Sequence, residues 1–283
     1  MNISLAYLGP TGTNSETAAI AYASWLKQHR QQEATLCSYP SIALTLRSLT
    51  QEEIDLAIVP IENSIGGSVT IVLDILWQSS NLQILQGLTL PICHSLLSYA
   101  PSLETIKTVY SHPQALAQCE KWLLKFLPKA QLIPQNSTTE ALEFLQSDRS
   151  AAAVSSPRAA ELYGVPVLEK DIKDRPDNCT RFWIVGSTSE ENPHSSHLSL
   201  AFSLPQNKPG ALVEALQIFA RRKINLSKIE SRPTKRSLGE YIFFIDIEGN
   251  YHDPSIQAAL SELQDRIEEL KIFGNYELLP MLG

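Results

Sequence analysis

Two rhythms of apolar residues alternate along the first 80 positions. Short apolar runs at 3–8 ("ISLAYL"), 34–39 ("ATLCSY") and 55–61 ("DLAIVPI") read as strands. Between and after them, 13–28 ("TNSETAAIAYASWLKQ"), 41–49 ("SIALTLRSL") and 70–77 ("TIVLDILW") carry the pattern of helices. Thr13 and Glu16 have capping-box spacing ahead of the first helix. Residues 82–97 form one long or broken apolar strand, interrupted by Gly87 and Pro91. The alternation then resumes with a strand at 106–111, a helix at 113–127 and a strand at 130–134. A helix at 137–146 follows, with a second capping box at Ser137 and Glu140, then a strand at 151–154. Ser156 and Pro157 open a short helix, and strands at 165–170 and 181–186 complete the region.

Repeated strand–helix units predict parallel or mixed sheets covered by helices. Two such runs, with a crossover near 78–97 and a return near 165–180, predict an α/β region of two lobes over 1–186. The polar, proline-bearing stretch at 187–196 reads as a linker. After it the order is strand 198–204, helix 210–222, strands 225–232 and 240–249, helix 254–270 and strand 275–281. That βαββαβ order is the α+β ferredoxin-like split unit, expected over 197–283.

Composition narrows the function. The chain has 283 residues and a net charge of −7 without a dense Lys/Arg run, which argues against nucleic acid as a partner. Any anionic ligand must then be held by local devices rather than by the overall field. The longest apolar stretch falls short of a membrane span, and the N-terminus enters a strand after two residues, which leaves no room for a signal peptide. Cys37, Cys93, Cys119 and Cys179 form neither a disulfide framework nor a zinc motif, so a cytoplasmic chain with reduced thiols is expected. His94, His112, His194 and His197 lack metal-ligand spacing, and neither a Walker loop nor G-x-G-x-x-G is present. No metal and no cofactor are expected.

Three strand-to-loop turns share one design. "LGPTGTNSE" supplies Thr13 and Ser15, "VPIENSIGGSV" supplies Glu62, Asn63, Ser64 and Gly66, and "SHPQALAQ" supplies Ser111, His112 and Gln114. Each leads toward a helix, whose N-terminal N–H groups and partial positive charge suit a carboxylate or phosphate. The fourth element, "DNCTRFWIVG", places Thr180 and Arg181 ahead of the apolar run that begins at Phe182. A hydroxyl and a permanent cation at a strand mouth point to a cleft. In the C-terminal unit, Pro209, Gly210 and Ala211 set a bare helix N-terminus after a strand, suited to the carboxylate of an amino acid, with Leu212 nearby for an apolar side chain.

In this order, "GPTGTNSE", "VPIENSIGGSV", "SHPQALAQC" and "NCTRFWIVG" resemble the prephenate dehydratase catalytic domain, and "NKPGALVEAL" and "KIESRPTK" resemble the ACT regulatory domain. Asn14 is a departure, since the family more often has an aromatic residue there. The resemblance implies a two-lobed catalytic region like the periplasmic solute-binding folds, with the site in its cleft. It also implies the reaction, in which prephenate loses CO2 and hydroxide to give phenylpyruvate on the way to L-phenylalanine. Thr180, Asn63 and Gln114 would stand at the reacting centre, with Glu62, Ser64, Arg181 and Phe182 building the pocket. L-Phenylalanine would bind between the ACT domains of two subunits of a homodimer or homotetramer. Pro209, Gly210, Ala211 and Leu212 would form one wall, and Glu230, Ser231, Arg232 and Pro233 the other. Arogenate remains an alternative substrate. A solute receptor and a pure amino-acid sensor are the rival readings from another class.

Overall fold

The computed structural model describes residues 2–187 and 192–280. The first lobe contains β1 (Asn2–Leu8), α1 (Asn14–Arg30), β2 (Glu33–Tyr39), α2 (Ile42–Thr50), β3 (Leu56–Asn63), the short β4 (Gly67–Ser68), α3 (Thr70–Gln78) and β5 (Gln83–Pro91). Strands β2, β1 and β3 run parallel, as strand–helix alternation demands. Helix α1 starts where Thr13 accepts the Glu16 N–H. Its Ala18, Ala19, Tyr22 and Leu26 pack with Leu5, Tyr7 and Ile58 on one sheet face. On the other face, Leu46 and Leu49 of α2 and Val72, Leu73 and Leu76 of α3 pack against Ala57 and Val59.

The apolar run at 82–97 is broken. After β5 the chain crosses at 92–94 into the second lobe, which begins with β6 (Ser95–Ser98) and β7 (Thr108–Ser111). The helix expected over 113–127 is two, α4 (Pro113–Gln118) and α5 (Glu120–Phe126). They part at Cys119 because the Asp174 carboxylate accepts the N–H groups of Lys121 and Trp122, capping a new helix start. Then come β8 (Gln131–Pro134), β9 (Ala151–Ser155), α6 (Pro157–Tyr163) and β10 (Val167–Glu169), giving the sheet order β10-β6-β9-β7-β8. The segment expected as a helix at 137–146 is a 3-10 turn over Glu140–Gln146. Ser137 caps it, and the Glu140 carboxylate reaches the Asn136 N–H.

The chain returns through 170–178 into β11 (Cys179–Gly186), which lies between β5 and β3, antiparallel to both. The C-terminal unit follows as β12 (His197–Ser203), α7 (Ala211–Arg221), β13 (Leu226–Pro233), β14 (Tyr241–Glu248), α8 (Pro254–Gln264) and β15 (Glu269–Leu278). The last helix is shorter than its apolar pattern suggested, and residues 269–270 already belong to β15. Leu198, Leu200, Phe202 and Ile245 of the sheet meet Phe219 and Leu263 of the two helices.

The opposite face of that sheet is covered by the first lobe. Phe244, Phe273 and Tyr276 join the core that contains Trp183, and Phe244 stacks on Phe273 while meeting Trp77 edge-on. Strand β15 pairs with β5 at Glu277 and Leu278, so one sheet runs β13-β14-β12-β15-β5-β11-β3-β1-β2. The crossing is close: a Cβ on Gly274 would lie 2.2 Å from the Ile84 carbonyl oxygen. Lys271 adds donors to the Leu76 and Trp77 carbonyls at the end of α3, a cation at a helix C-terminus. Of the expected linker, residues 188–191 lie outside the described residues. Its last residues are tied down, with Ser195 Oγ donating to the Asn275 carbonyl at 3.0 Å and the Ser196 N–H to the Tyr276 carbonyl at 3.0 Å.

Candidate active site

Strands β3 and β11 present opposite faces to different surroundings. In their antiparallel register Asn63 pairs with Thr180 and Glu62 with Arg181, with a bulge after Arg181. Successive side chains on a strand point to opposite sides, so each strand turns one of these residues into the cleft and the other away. Asn63 and Thr180 line a cleft of about 280 Å³ between the lobes. Thr13, Asn14 and Ser15 come to it from the start of α1, and His112, Gln114 and Gln118 from α4. Asn136, Ser137 and Thr138 come from the turn after β8, and His94 from the first crossover.

A ring of amides supports the Asn63–Thr180 pair. Backbone N–H groups of Ile65 and Gly66 donate to Asn63 Oδ1 at 3.1 and 2.7 Å, which leaves its Nδ2 facing the other way. That Nδ2 lies 2.9 Å from Asn178 Oδ1, 3.0 Å from the Cys179 carbonyl and 3.0 Å from Thr180 Oγ1. Thr180 therefore accepts, and its own proton is free to be given elsewhere. Asn178 Nδ2 donates to Gln118 Oε1 at 3.0 Å, and Gln118 Nε2 donates to Asn63 Oδ1 at 3.2 Å. His94, buried, has Nε2 2.8 Å from the same Gln118 Oε1. Burial pushes the His94 pKa below its ordinary value, against the Gln118 hydrogen bond, which raises it.

Other predicted residues divide. Gln114 faces Gly66 across the cleft so closely that a Cβ on Gly66 would lie 2.3 Å from Gln114 Nε2. His112 caps α4 by accepting the Gln114 N–H through Nδ1 at 3.2 Å. Ser64 exchanges two bonds with Cys179, through its N–H and its Oγ, and so splices β3 to β11. Ser111 and Phe182 do not face the cleft. Ser111 is buried and donates to the Val154 carbonyl at 2.5 Å, fixing β7 to β9. Phe182 is core, packed with Leu88, Leu90 and Ile184. Three members of the amide network, His94, Gln118 and Asn178, were not predicted as site residues, nor were Asn136 and Thr138 on the rim of the cleft. Gln118 follows Gln114 by one helical turn and Asn178 precedes Thr180 by two residues, spacings that put each pair on one side.

The side chains lining the cleft include no Lys, Arg, Asp or Glu. Among the described residues no group of three or more His, Cys, Asp or Glu side chains is placed to hold a metal. What the cleft offers an anion is amides, hydroxyls, two imidazoles and the first turn of the 17-residue α1.

Comparison with known proteins decides the family. The prephenate dehydratase family profile matches residues 5–190, and the ACT domain profile residues 199–265. A prephenate dehydratase of Lactococcus lactis subsp. cremoris is 38% identical over 98% of this chain and 98% of its own. The solved structure of a prephenate dehydratase from Arthrobacter aurescens in complex with L-Phe superposes with a TM-score of 0.85 at 34% identity, covering 97% of this chain and 90% of that one. GqqA, described as a novel type of quorum quenching acylase, superposes at 0.82 with 27% identity, covering 98% of each. The chain belongs to the prephenate dehydratase family.

In this prephenate dehydratase, the residues expected to hold charge in the cleft work behind it. Arg181 Nη2 lies 3.0 Å from Glu62 Oε2 and Nη1 3.1 Å from Asp246 Oδ2, on the face that meets the ACT domain. Lys228 joins from β13, 3.3 Å from Glu62, and donates to Ser68 Oγ at 2.7 Å. Burial raises the Asp246 pKa, opposed by the Ser199 hydrogen bond and the Arg181 and Lys228 charges. Glu62 and Arg181 are thus withdrawn from the pocket by the strand alternation that admits Asn63 and Thr180.

The ACT residues also divide. Gly210, at φ +87, starts α7 without a side-chain cap, and Leu212 packs on the helix-side core. A cavity of about 290 Å³ beside this turn includes Ala211 and Lys208. Glu230 and Arg232 lie on the other face of β13. Glu230 accepts from Ser68, and Arg232 holds Asp74 of α3 through two bonds of 3.0 Å. Within one chain they bind the catalytic lobe rather than wall an effector pocket, and of that wall only Ser231 and Pro233 alternate to the side of Phe243.

Proposed function

We propose that this chain is a prephenate dehydratase that converts prephenate to phenylpyruvate, CO2 and hydroxide, with Thr180 as the donor to the departing ring hydroxyl. One observation carries the reading: Asn63 donates to Thr180 Oγ1 at 3.0 Å inside a cleft without fixed charges, so the threonine's proton is available there. Being an acceptor already strengthens that hydroxyl as a donor. Asn63 is assigned to orient Thr180, and Gln114 to close over the substrate from the opposite lobe. Thr13, Ser15 and the α1 N-terminus are assigned to the substrate's side-chain carboxylate. The ring carboxylate meets no lysine or arginine in the lining of the cleft. A fixed cation beside it would stabilise the electrons that must flow into the ring as CO2 leaves, and would oppose the reaction. The breaking C–C bond supplies the electron pair that forms the aromatic ring and expels the hydroxyl, so the step balances without a redox partner.

The enzyme is taken to be cytoplasmic, and none of its described helices is long and apolar enough to cross a membrane. Its catalytic region is assigned to 1–186, with a boundary at 187–196 and the ACT domain over 197–283. L-Phenylalanine is assigned as effector at the α7 start, between two subunits, supported by the L-Phe complex of the Arthrobacter relative. The test is phenylpyruvate formation from prephenate by the full chain, without cofactor and with EDTA present, arogenate running in parallel and L-phenylalanine titrated in. Turnover of prephenate with inhibition by L-phenylalanine is expected. Turnover of arogenate alone would reassign the substrate, and activity lost with EDTA and regained with a divalent ion would overturn the cofactor-free scheme.

A further inference from the structure

Asn63, Asn178 and Gln118 form a closed ring in which each amide donates to the next: Asn63 Nδ2 to Asn178 Oδ1, Asn178 Nδ2 to Gln118 Oε1, and Gln118 Nε2 back to Asn63 Oδ1. A ring of three carboxamides can run in either sense with the same heavy atoms, because each amide can turn over. The two senses differ chemically at Thr180. In the sense observed, Asn63 presents N–H groups to Thr180 Oγ1. In the reverse sense Asn63 would present its oxygen, and the threonine would spend its proton on the amide.

Two groups outside the ring select the sense. The backbone N–H groups of Ile65 and Gly66 can only donate, and they fix the oxygen of Asn63. His94 meets the ring at its far side, with Nε2 2.8 Å from Gln118 Oε1, and it can support this sense only as an Nε2–H donor. We propose that His94 is a positioning residue, whose Nε2–H holds Gln118 in the sense that the Ile65 and Gly66 N–H groups impose on Asn63, and so keeps the amide ring closed and the Thr180 hydroxyl available to the substrate. The site suits the task. His94 sits at 3% exposure on the crossover between β5 and β6, where water has little access to compete for the bond. Desolvation lowers its pKa first, Lys173 lowers it further, and Gln118 and Asp171 raise it. An imidazole also delivers its N–H from a rigid ring, without the extra torsions of a longer amide.

The kinetic arm rests on the reaction proposed above, and the spectroscopic arm does not. His94→Leu is expected to lower kcat about tenfold, equivalent to about 1.4 kcal/mol, with KM changed less than about twofold, since the ring acts on proton donation rather than binding. His94→Gln, which returns an N–H donor, is expected to recover most of the loss. In 15N-histidine spectra of the full-length wild type near neutral pH, His94 is expected as a neutral ring protonated at Nε2. A His94→Leu enzyme with wild-type kcat, a His94→Gln enzyme no better than His94→Leu, or an Nδ1-protonated His94 in wild type would each overturn the proposal. Were His94→Leu to fail to fold, the tautomer would decide alone. A wild type inactive on prephenate but protonated at Nε2 would remove the assigned reaction and leave the ring's direction standing.

Discussion

Thr180→Val is the most informative single change. It keeps the branched shape at a nearly buried position and removes only the hydroxyl. The structural cost is expected to be small for a specific reason: Asn63 Nδ2 has two hydrogens and three acceptors, Asn178 Oδ1, the Cys179 carbonyl and Thr180 Oγ1. With the third gone, both hydrogens still find partners. The loss is then a fraction of one hydrogen bond, about 1 kcal/mol at most, or a melting shift below about 4 °C for a chain of this size. The catalytic cost is of another order, because one hydrogen-bond donor to negative charge that develops on a departing oxygen is worth about 10²–10³-fold. Phenylpyruvate formation under saturating prephenate should therefore fall at least about 100-fold while the thermal melt barely moves. Thr180→Ser, which keeps the donor, should retain much of the rate. Near-normal kcat in Thr180→Val would remove Thr180 from the chemistry. A collapse of the melting temperature would show that the surplus of acceptors does not buffer the site.

Arg181→Met leaves the buried Asp246 carboxylate with Ser199 and the more distant Lys228 charge, and should cost about 3–5 kcal/mol in denaturant melts. Substrate KM should stay close to wild type, and a raised KM with unchanged stability would return Arg181 to the cleft. Asp74 is held below its ordinary pKa of 3.8 by its hydrogen bond from Arg232, so the stability it adds is present above about pH 4 and is lost as pH falls through its folded-state value. Wild type should accordingly exceed Asp74→Asn at neutral pH and converge with it in acid, and a gap independent of pH would refute this. Gly210→Ala meets no atom within 4 Å, so its cost is that of the left-handed backbone, about 1–2 kcal/mol. It should also weaken inhibition by L-phenylalanine, and unchanged stability and inhibition curves would refute both effects.

The alternation of strands and helices, both lobes and the βαββαβ unit were legible from apolar periodicity alone. What escaped periodicity was decided by distant partners. Nothing near Cys119 announces that Asp174 starts a new helix there. The early start of β15 at Glu269 depends on its pairing with Ser203 at the end of β12. The turn motifs pointed to Thr13, Ser15, Asn63, Gln114 and Thr180, which line the cleft or its rim, and equally to Ser64 and Ser111, whose hydroxyls are spent on joining strands. Arg181 and Glu62 were misplaced by neighbourhood: adjacent to Thr180 and Asn63 in sequence, they are opposite in space, as the two-residue period of a strand requires. From sequence His94 reads only as a metal ligand without ligand spacing, because its partner Gln118 is 24 residues away in the sequence.

Because β15 completes the sheet at β5, the C-terminal unit is not a detachable attachment. A chain stopped before β12 would remove the β15 pairing from Gln86 and Gly87 of β5 and strip Trp183 of Tyr276, and an uncovered strand edge favours aggregation. On the regulation proposed above, genetic escape from end-product control is constrained accordingly. Cells selected on a toxic analogue of the effector should yield enzymes altered by missense changes around the α7 turn and the β13 face, and nonsense alleles should be missing from the survivors. The C-terminal unit is therefore hard to lose by deletion, since it is also one of the walls that keep the catalytic sheet folded.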